Sequence, residues 1–203
     1  MDGMTAVVLA GGRSVRLGRD KALVELAGRP LIQHVIGRVS ALGNEIIVVT
    51  SQANSLPPLG VRKVADIYPG KGPLGGIYSG LKAAHTHHCL VLACDMPLLN
   101  LDLLRHLMDL ASDFDIVVPR VGSNLEPLHA VYAKSCLQSI DDALQHDRLQ
   151  VQSFFDQVKV RYVEDAELKQ FDPEHLSFFN INSQSDLERA QALLEREEQT
   201  SGR

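Results

Sequence analysis

From residue 9 to residue 21 the chain reads Leu-Ala-Gly-Gly-Arg-Ser-Val-Arg-Leu-Gly-Arg-Asp-Lys. The paired Gly11 and Gly12 let a backbone turn with no side chain in the way. The amide N–H groups of such a loop can point inward at phosphate oxygens. Arg13, Arg16, Arg19 and Lys21 add cationic charge within nine residues. Amides beside diffuse positive charge suit a triphosphate. A lone Gly-Gly turn with solvated arginines would be an ordinary surface feature, but the whole string LAGG-x-S-x-R-L-G-x-D-K is far more specific.

Two other phosphate motifs fail. No window matches the GxxxxGK[ST] of a P-loop. A literal GxGxxG spans residues 70 to 75, but it follows Tyr68-Pro69 and not a strand, so it is not read as a dinucleotide fingerprint. Two carboxylates are better placed. Asp95 follows a buried apolar run in Ala93-Cys94-Asp95-Met96-Pro97, and Asp66 follows Val64-Ala65 in the same way. A carboxylate just past a strand can hold Mg²⁺ near solvent, since this ion takes one or two carboxylates, substrate phosphates and waters. The plainer role for either is a cap or a surface aspartate.

These residues need strands that end together. The runs at residues 5–10, 45–50, 62–65 and 89–93 read as buried strands. Residues 30–42 read as a helix, with Pro30 in its first turn and Gly43 as its C-terminal cap. Residues 66–76, dense in Gly and Pro, read as a loop, and 77–84 as a helix. Asn100 is placed to cap a helix to about Ala111, and Ser135 one through Leu144. Strands are expected at 115–119 and 127–133, with weaker candidates at 159–163 and 177–181. Ser185-x-x-Glu188 reads as a capping box for a last helix bearing Leu187, Leu193 and Leu194, with fraying beyond Glu195. Alternating strands and helices imply right-handed βαβ units. The expected architecture is a single-domain, three-layer α/β fold over residues 1–203, with a mostly parallel, Rossmann-like sheet. Ligands of such sheets sit at the carboxyl ends of the strands, so the loops after Ala10, Thr50, Ala65 and Ala93 are those to inspect.

Length and composition agree. The 203 residues suit one core, and 45% hydrophobic with 22% charged residues is ordinary globular composition. A formal charge of −5 offers no general attraction to nucleic acid, so a phosphate site must be local. Cys89, Cys94 and Cys136 lack CxxC spacing and read as buried, reduced thiols. No apolar run approaches the ~20 residues of a membrane span, and residues 1–4 do not resemble a signal peptide. A cytoplasmic location is the expectation. His85, His87 and His88 lack a completing ligand at metal spacing, and protonated histidine also suits a helix C-terminus. Cys94 reads as strand packing, Asp141-Asp142 as a solvated helix face, and Glu126 is open to a site-rim role.

The motifs together resemble a known family. The opening loop is similar to that of nucleotidyltransferases that activate small phosphorylated molecules. Within that superfamily it most resembles the molybdenum cofactor guanylyltransferases. Asp66 followed by Gly72-Pro73-Leu74-x-Gly76 resembles their Asp…GPLxG segment, and Cys94-Asp95-Met96-Pro97 their C/A-D-x-P metal motif. Glu126-Pro127-Leu128-His129-Ala130 resembles EPLxA, and Asn180-Ile181-Asn182-Ser183 resembles N-x-N-[ST]. The blocks keep the family order from residue 5 to 188. The resemblance implies that Leu9, Ala10, Gly11 and Gly12 line the guanine and triphosphate pocket. It implies that Lys21 contacts phosphate, Asp66 the nucleotide, and Asp95 Mg²⁺, with Asn180 and Asn182 near the pterin. Arg120 and the loop 121–124 are further candidates to face it. At Val49-Thr50-Ser51 some members carry an asparagine that contacts the nucleotide. Here Thr50, Ser51 or a main-chain group must substitute.

The implied reaction joins GMP from GTP to the terminal phosphate of molybdopterin, or its molybdenum-loaded form, and releases pyrophosphate. Lys21, with Arg16, would stabilise the transferring phosphoryl group. The nearest rival is the cytidylyltransferase of the same cofactor, whose opening tends to read LAAG. The missing methyl at Gly12 favours the larger purine. Transfer to a sugar or polyol phosphate is disfavoured by chain length. A non-catalytic cofactor carrier is disfavoured by Lys21 and Asp95. Transient contact with recipient apoenzymes is compatible with catalysis.

Overall fold

The computed structural model describes residues 3–11, 20–42, 45–51 and 56–201. The expectations placed on Gly12, Arg13, Arg16, Arg19 and Gly43 lie outside them. The strands are β1 (Thr5–Leu9), β2 (Glu25–Leu26), β3 (Arg29–Pro30), β4 (Ile46–Thr50), β5 (Arg62–Ala65), β6 (His88–Ala93), β7 (Ile116–Val121), β8 (Asn124–Leu125), β9 (His129–Ala133) and β10 (Val160–Glu164). The α-helices are α1 (Leu31–Ser40), α2 (Gly72–Ala83), α3 (Leu101–Asp109), α4 (Leu137–Gln145), α5 (Asp165–Leu168) and α6 (Gln184–Ser201).

The main sheet runs β10-β7-β9-β6-β1-β4-β5, with β8 paired to β7. Strands β6, β1, β4 and β5 are parallel neighbours, and β10 is parallel to β7. Strand β9 runs antiparallel between β6 and β7. Alternate residues of β1 face opposite layers. Ala6 and Val8 pack with α1 and α3, whereas Val7 and Leu9 pack with α2 and α4. Burial on both faces explains why β1, β4 and β6 read as continuous apolar runs. The mostly parallel three-layer expectation therefore holds.

Helix α2 lies unusually close to β1. A Cβ on Gly76 would come 3.2 Å from Leu9 Cδ2, and one on Gly80 would come 2.3 Å from Val7 Cγ1. The reading of residues 66–76 as loop holds for 66–71 and is corrected for 72–76, which open α2. Gly75, against Tyr68, and Gly76, against Leu9, are contact positions of a helix that begins at Gly72, itself at φ +69°, with Pro73 in its first turn. Pro30, in contrast, stands in β3 as the N-cap of α1, with extended ψ of 142°.

Other boundaries also move. Asn100 does cap α3, accepting from the amides of Asp102 and Leu103. Ser135 does not cap α4. Its hydroxyl donates to Asp115 instead, and the N-cap position is Cys136. Residues 177–181 form no strand. Leu176–Phe178 is a 3-10 turn, held by the Asp172 carboxylate, which accepts from the amides of Leu176 and Ser177. The cap of α6 lies two residues before the expected one. Asp186 N donates to Ser183 Oγ, and the Asp186 carboxylate accepts from Asn182 N at 3.0 Å. The last helix continues past Glu195 to Ser201, with Glu197 paired to Arg38. Leu187 and Leu194 pack against a small core that includes Leu26, Leu31 and Ile181. No helix among the described residues is long and apolar enough to cross a membrane.

Candidate active site

Strand register brings the key loops to one edge. Leu9 lies opposite both Val49 and Ala93, and Thr50 lies opposite Ala65. The chain therefore leaves β1, β4, β5 and β6 near one another. Main-chain bonds tie these exits together: Cys94 N donates to Leu9 O, Ala10 N to Val49 O, and Asp66 N to Thr50 O. A cleft of about 520 Å³ opens there. Leu9, Val49 and Leu128 supply apolar wall, while Lys21, Asp66 and Asp95 supply charge. Gly11, Thr50 and Ser51 also line it. A Cβ on Gly11 would meet nothing within 4 Å among the described residues.

Lys21 starts a 3-10 turn capped by Asp20, whose Oδ1 accepts from Ala22 N at 3.1 Å. The turn leads into the β2–β3 hairpin and α1, which fixes where the lysine stem begins. Lys21 Nζ donates to Asp95 Oδ2 at 2.7 Å and to Asn182 Oδ1 at 2.6 Å. Ile181 N donates to the Asp95 main-chain oxygen at 3.0 Å. Residues separated by more than 150 positions thus meet at one point. Asn182 is held from behind by Asp186. The Ser183 hydroxyl and the Asn182 amide lower the Asp186 carboxyl below its usual range.

Asp66 also reaches the cleft, but its partners are local. Its Oδ1 accepts from Tyr68 N at 2.9 Å and Ser79 Oγ at 3.0 Å. Asn180 donates to Phe178 O, a bond that shapes the chain before Asn182. Of the expected site residues, the structure places Leu9, Gly11, Lys21, Asp66 and Asp95 on the cleft and joins Asn182 to it through Lys21. Ala10 is buried in the core on the α1 side of the sheet.

The remaining candidates have other partners. Cys94 is buried and its thiol is raised, first by burial and then by neighbouring Asp95. Burial likewise pushes Cys89 up to about 11 and Cys136 to about 12, which keeps them protonated. His85 faces Glu45 at 3.2 Å, and His88 Nε2 lies 3.1 Å from Phe114 O. Among the described residues no group of three or more His, Cys, Asp or Glu is arranged to hold a metal. Arg120 stacks on Tyr162 and pairs with Glu164 at 3.1 Å. Burial raises the Glu126 carboxyl. Asp141 corrects the solvated-face reading, because it accepts from the Tyr68 hydroxyl at 2.5 Å and so braces the loop after Asp66.

Two features were missed in the sequence. Asp186 could have been found from Ser183-x-x-Asp186, a capping pattern overlapping the one chosen. His129 gave no such signal. It is fully buried on β9, neither ring nitrogen has a hydrogen-bond partner among the described residues, and burial lowers it to about 3.

A mostly parallel sheet with a cleft over its strand ends, where a lysine and an aspartate meet, is here the frame of a nucleotidyltransferase, the class that its relatives show. The chain belongs to the family described as the MobA-like NTP transferase domain, whose model matches residues 6–162. A probable molybdenum cofactor guanylyltransferase from Pelotomaculum thermopropionicum is 39% identical, over 94% of this chain and 93% of its own length. A molybdenum cofactor guanylyltransferase from Desulfosudis oleivorans is 33% identical over 96% and 97%. Among solved structures, the molybdopterin-guanine dinucleotide biosynthesis protein A from Archaeoglobus fulgidus superposes with a TM-score of 0.84. It is 31% identical and covers 95% of this chain and 100% of its own.

Proposed function

We propose that this chain transfers GMP from GTP to the terminal phosphate of molybdopterin, or of its molybdenum-loaded form, and releases pyrophosphate. The observation that carries this is the junction of Lys21, Asp95 and Asn182 at the cleft over the strand ends. The names of the relatives supply the substrate pair. A phosphate oxygen of the pterin attacks the α-phosphorus of GTP. The bond from that phosphorus to the bridging oxygen breaks, and pyrophosphate leaves with the electron pair. The nucleophile is already an anion, so no strong base is required.

The obstacle is bringing anions together. Repulsion between unit charges at ~4 Å is about 1 kcal/mol in water and several-fold more in a drier site. Positioning and charge neutralisation therefore carry the catalysis. Lys21 would bind the phosphates and the leaving pyrophosphate. Gly11, which lines the cleft and carries no side chain, would let the backbone approach the nucleotide. Thr50 or Ser51, which line the cleft, or a main-chain group there would supply the contact to the nucleotide. The donor set suits Mg²⁺: one strand-end carboxylate, Asp95, beside a space wide enough for phosphates and waters. When bound there, the ion would neutralise phosphate charge. Asp66, whose own bonds fix its loop, would face the nucleotide, and Asn180 would shape the segment on the pterin side.

Pyrophosphate release tests the reading. The purified protein is given molybdopterin and Mg²⁺ with GTP, CTP, ATP or UTP separately, and the expected signal is with GTP alone. A signal with CTP alone would move the protein to the sister activity. Silence with all four, on acceptor proven with a control enzyme, would overturn the reaction.

A further inference from the structure

Lys21 and Asp95 both serve the reaction proposed above, yet in this structure they are spent on each other. Nζ sits 2.7 Å from Oδ2, and the two side chains are only 20% and 13% exposed. A carboxylate oxygen so occupied cannot take a metal ion along the same direction, because Mg²⁺ demands a contact of about 2.0–2.1 Å. An ammonium beside a divalent cation also repels it strongly where water is scarce.

We propose that Lys21 is the resident counterion of Asp95, fixed there by Asn182, so that this carboxylate admits a divalent cation only together with a triphosphate. The triphosphate offers the ammonium other anionic oxygens. Lys21 then leaves Oδ2, and the cation that arrives with the nucleotide takes its place. Asn182 is built for the resident state. Its side-chain oxygen accepts from Lys21 at 2.6 Å, while its amide donates to Asp186. The adjoining Ile181 amide donates to the Asp95 main chain, so one short segment ties both members of the pair. Asn182 is thus a positioning residue for the nucleotide side, besides any part it has near the pterin. A bare metal ion is kept out, and the carboxylate does not sit uncompensated in the cleft between turnovers. This inference rests on Asp95 as the metal ligand.

Mn²⁺ binding without nucleotide, read by electron paramagnetic resonance of the free ion, tests it. Wild type should bind Mn²⁺ weakly. Lys21→Met should bind at least about tenfold more tightly, since removing a competing charge contact is worth a factor of that order. Asn182→Ala should move the same way by a smaller factor, and it serves as the independent reading should Lys21→Met fail to fold, which thermal melting would show. The gain must vanish in Lys21→Met/Asp95→Asn. Equal Mn²⁺ affinity in wild type, Lys21→Met and Asn182→Ala would overturn the counterion role while leaving the metal assignment intact. A gain that persists in the double variant would place the ion elsewhere, and it would overturn the metal assignment and this inference together.

Discussion

Asp66 and Asp95 occupy equivalent places, each the first or second residue past a parallel strand on the same edge of the sheet. Their surroundings differ in kind. Asp66 is satisfied by Tyr68 in its own loop and by Ser79 of the following helix α2, and Asp141 braces the same loop through the Tyr68 hydroxyl. Asp95 is met by Lys21, 74 residues away, and through it by Asn182. The difference extends into the sheet. Among the described residues, His129 beside the Asp95 strand lies opposite Leu92 with both ring nitrogens unpaired, whereas the Asp66 loop shows no such orphan. Distant elements reach both loops, but they act at different points: Asp141 holds the Asp66 loop through Tyr68 and leaves the Asp66 carboxylate to Tyr68 N and Ser79, whereas Lys21 is bound to the Asp95 carboxylate itself.

The sharpest way to break this comparison is to exchange the outcomes of the two alanine variants. Asp95→Ala should abolish turnover at any useful Mg²⁺ concentration, measured as pyrophosphate release across a Mg²⁺ titration. Near-wild-type activity would remove Asp95 from the metal site and make the two aspartates alike. Lys21→Ala should follow, with kcat lowered at least about tenfold, because a charge contact to a transition state is worth a few kcal/mol. An unchanged kcat would reduce Lys21 to a structural partner of Asp95.

His129 sharpens the contrast on the stability side. Its ordinary value is 6.5 and burial lowers it to about 3. The unfolded chain therefore binds a proton in that window while the folded chain does not. Stability contributed by the neutral ring is complete above pH 6.5 and is lost as pH falls from 6.5 toward 3. From pH 7.5 to pH 5 the single group should cost about 2 kcal/mol. Urea unfolding of wild type and His129→Leu at the two pH values reads this directly. The variant should lack that part of the acid sensitivity, and parallel pH dependence in both proteins would show that the ring finds a partner after all.

The contrast also explains what the sequence disclosed. Strands β1, β4 and β6 were plain from uninterrupted apolar runs, because burial on both faces leaves no other composition. Lys21, Asp66 and Asp95 were legible from motif and from position after a strand. The meeting of Lys21 with Asn182 was not, since no local pattern encodes a contact across 161 residues. Gly72 to Gly76 misled for a physical reason. Glycine signals a turn by composition, and Gly72 at φ +69° does turn the chain, but Gly76, with Gly80 further on, permits a helix to touch β1, and only the packed partners, Leu9 and Val7, reveal that use. Residues 177–181 looked like a strand by composition, yet their amides go elsewhere, that of Ser177 to the Asp172 carboxylate and that of Ile181 to Asp95's main chain.

The smallest expected effect belongs to the Asp66 side. Asp66→Ala removes the acceptor of the Tyr68 amide and the Ser79 hydroxyl, two part-buried bonds. Each such bond is worth about 1 kcal/mol net, so urea unfolding should report a loss of roughly 1–2 kcal/mol. Because Tyr68 stays tied to Asp141, the loop should keep its course, and the kinetic change should fall mainly on KM for the nucleotide. A loss confined to kcat and as deep as that of Asp95→Ala, with unfolding unchanged, would mean that Asp66 shares the chemistry. The local hydrogen bonds would then be the means of aiming its second oxygen, and proximity in sequence would no longer separate a supporting carboxylate from a working one.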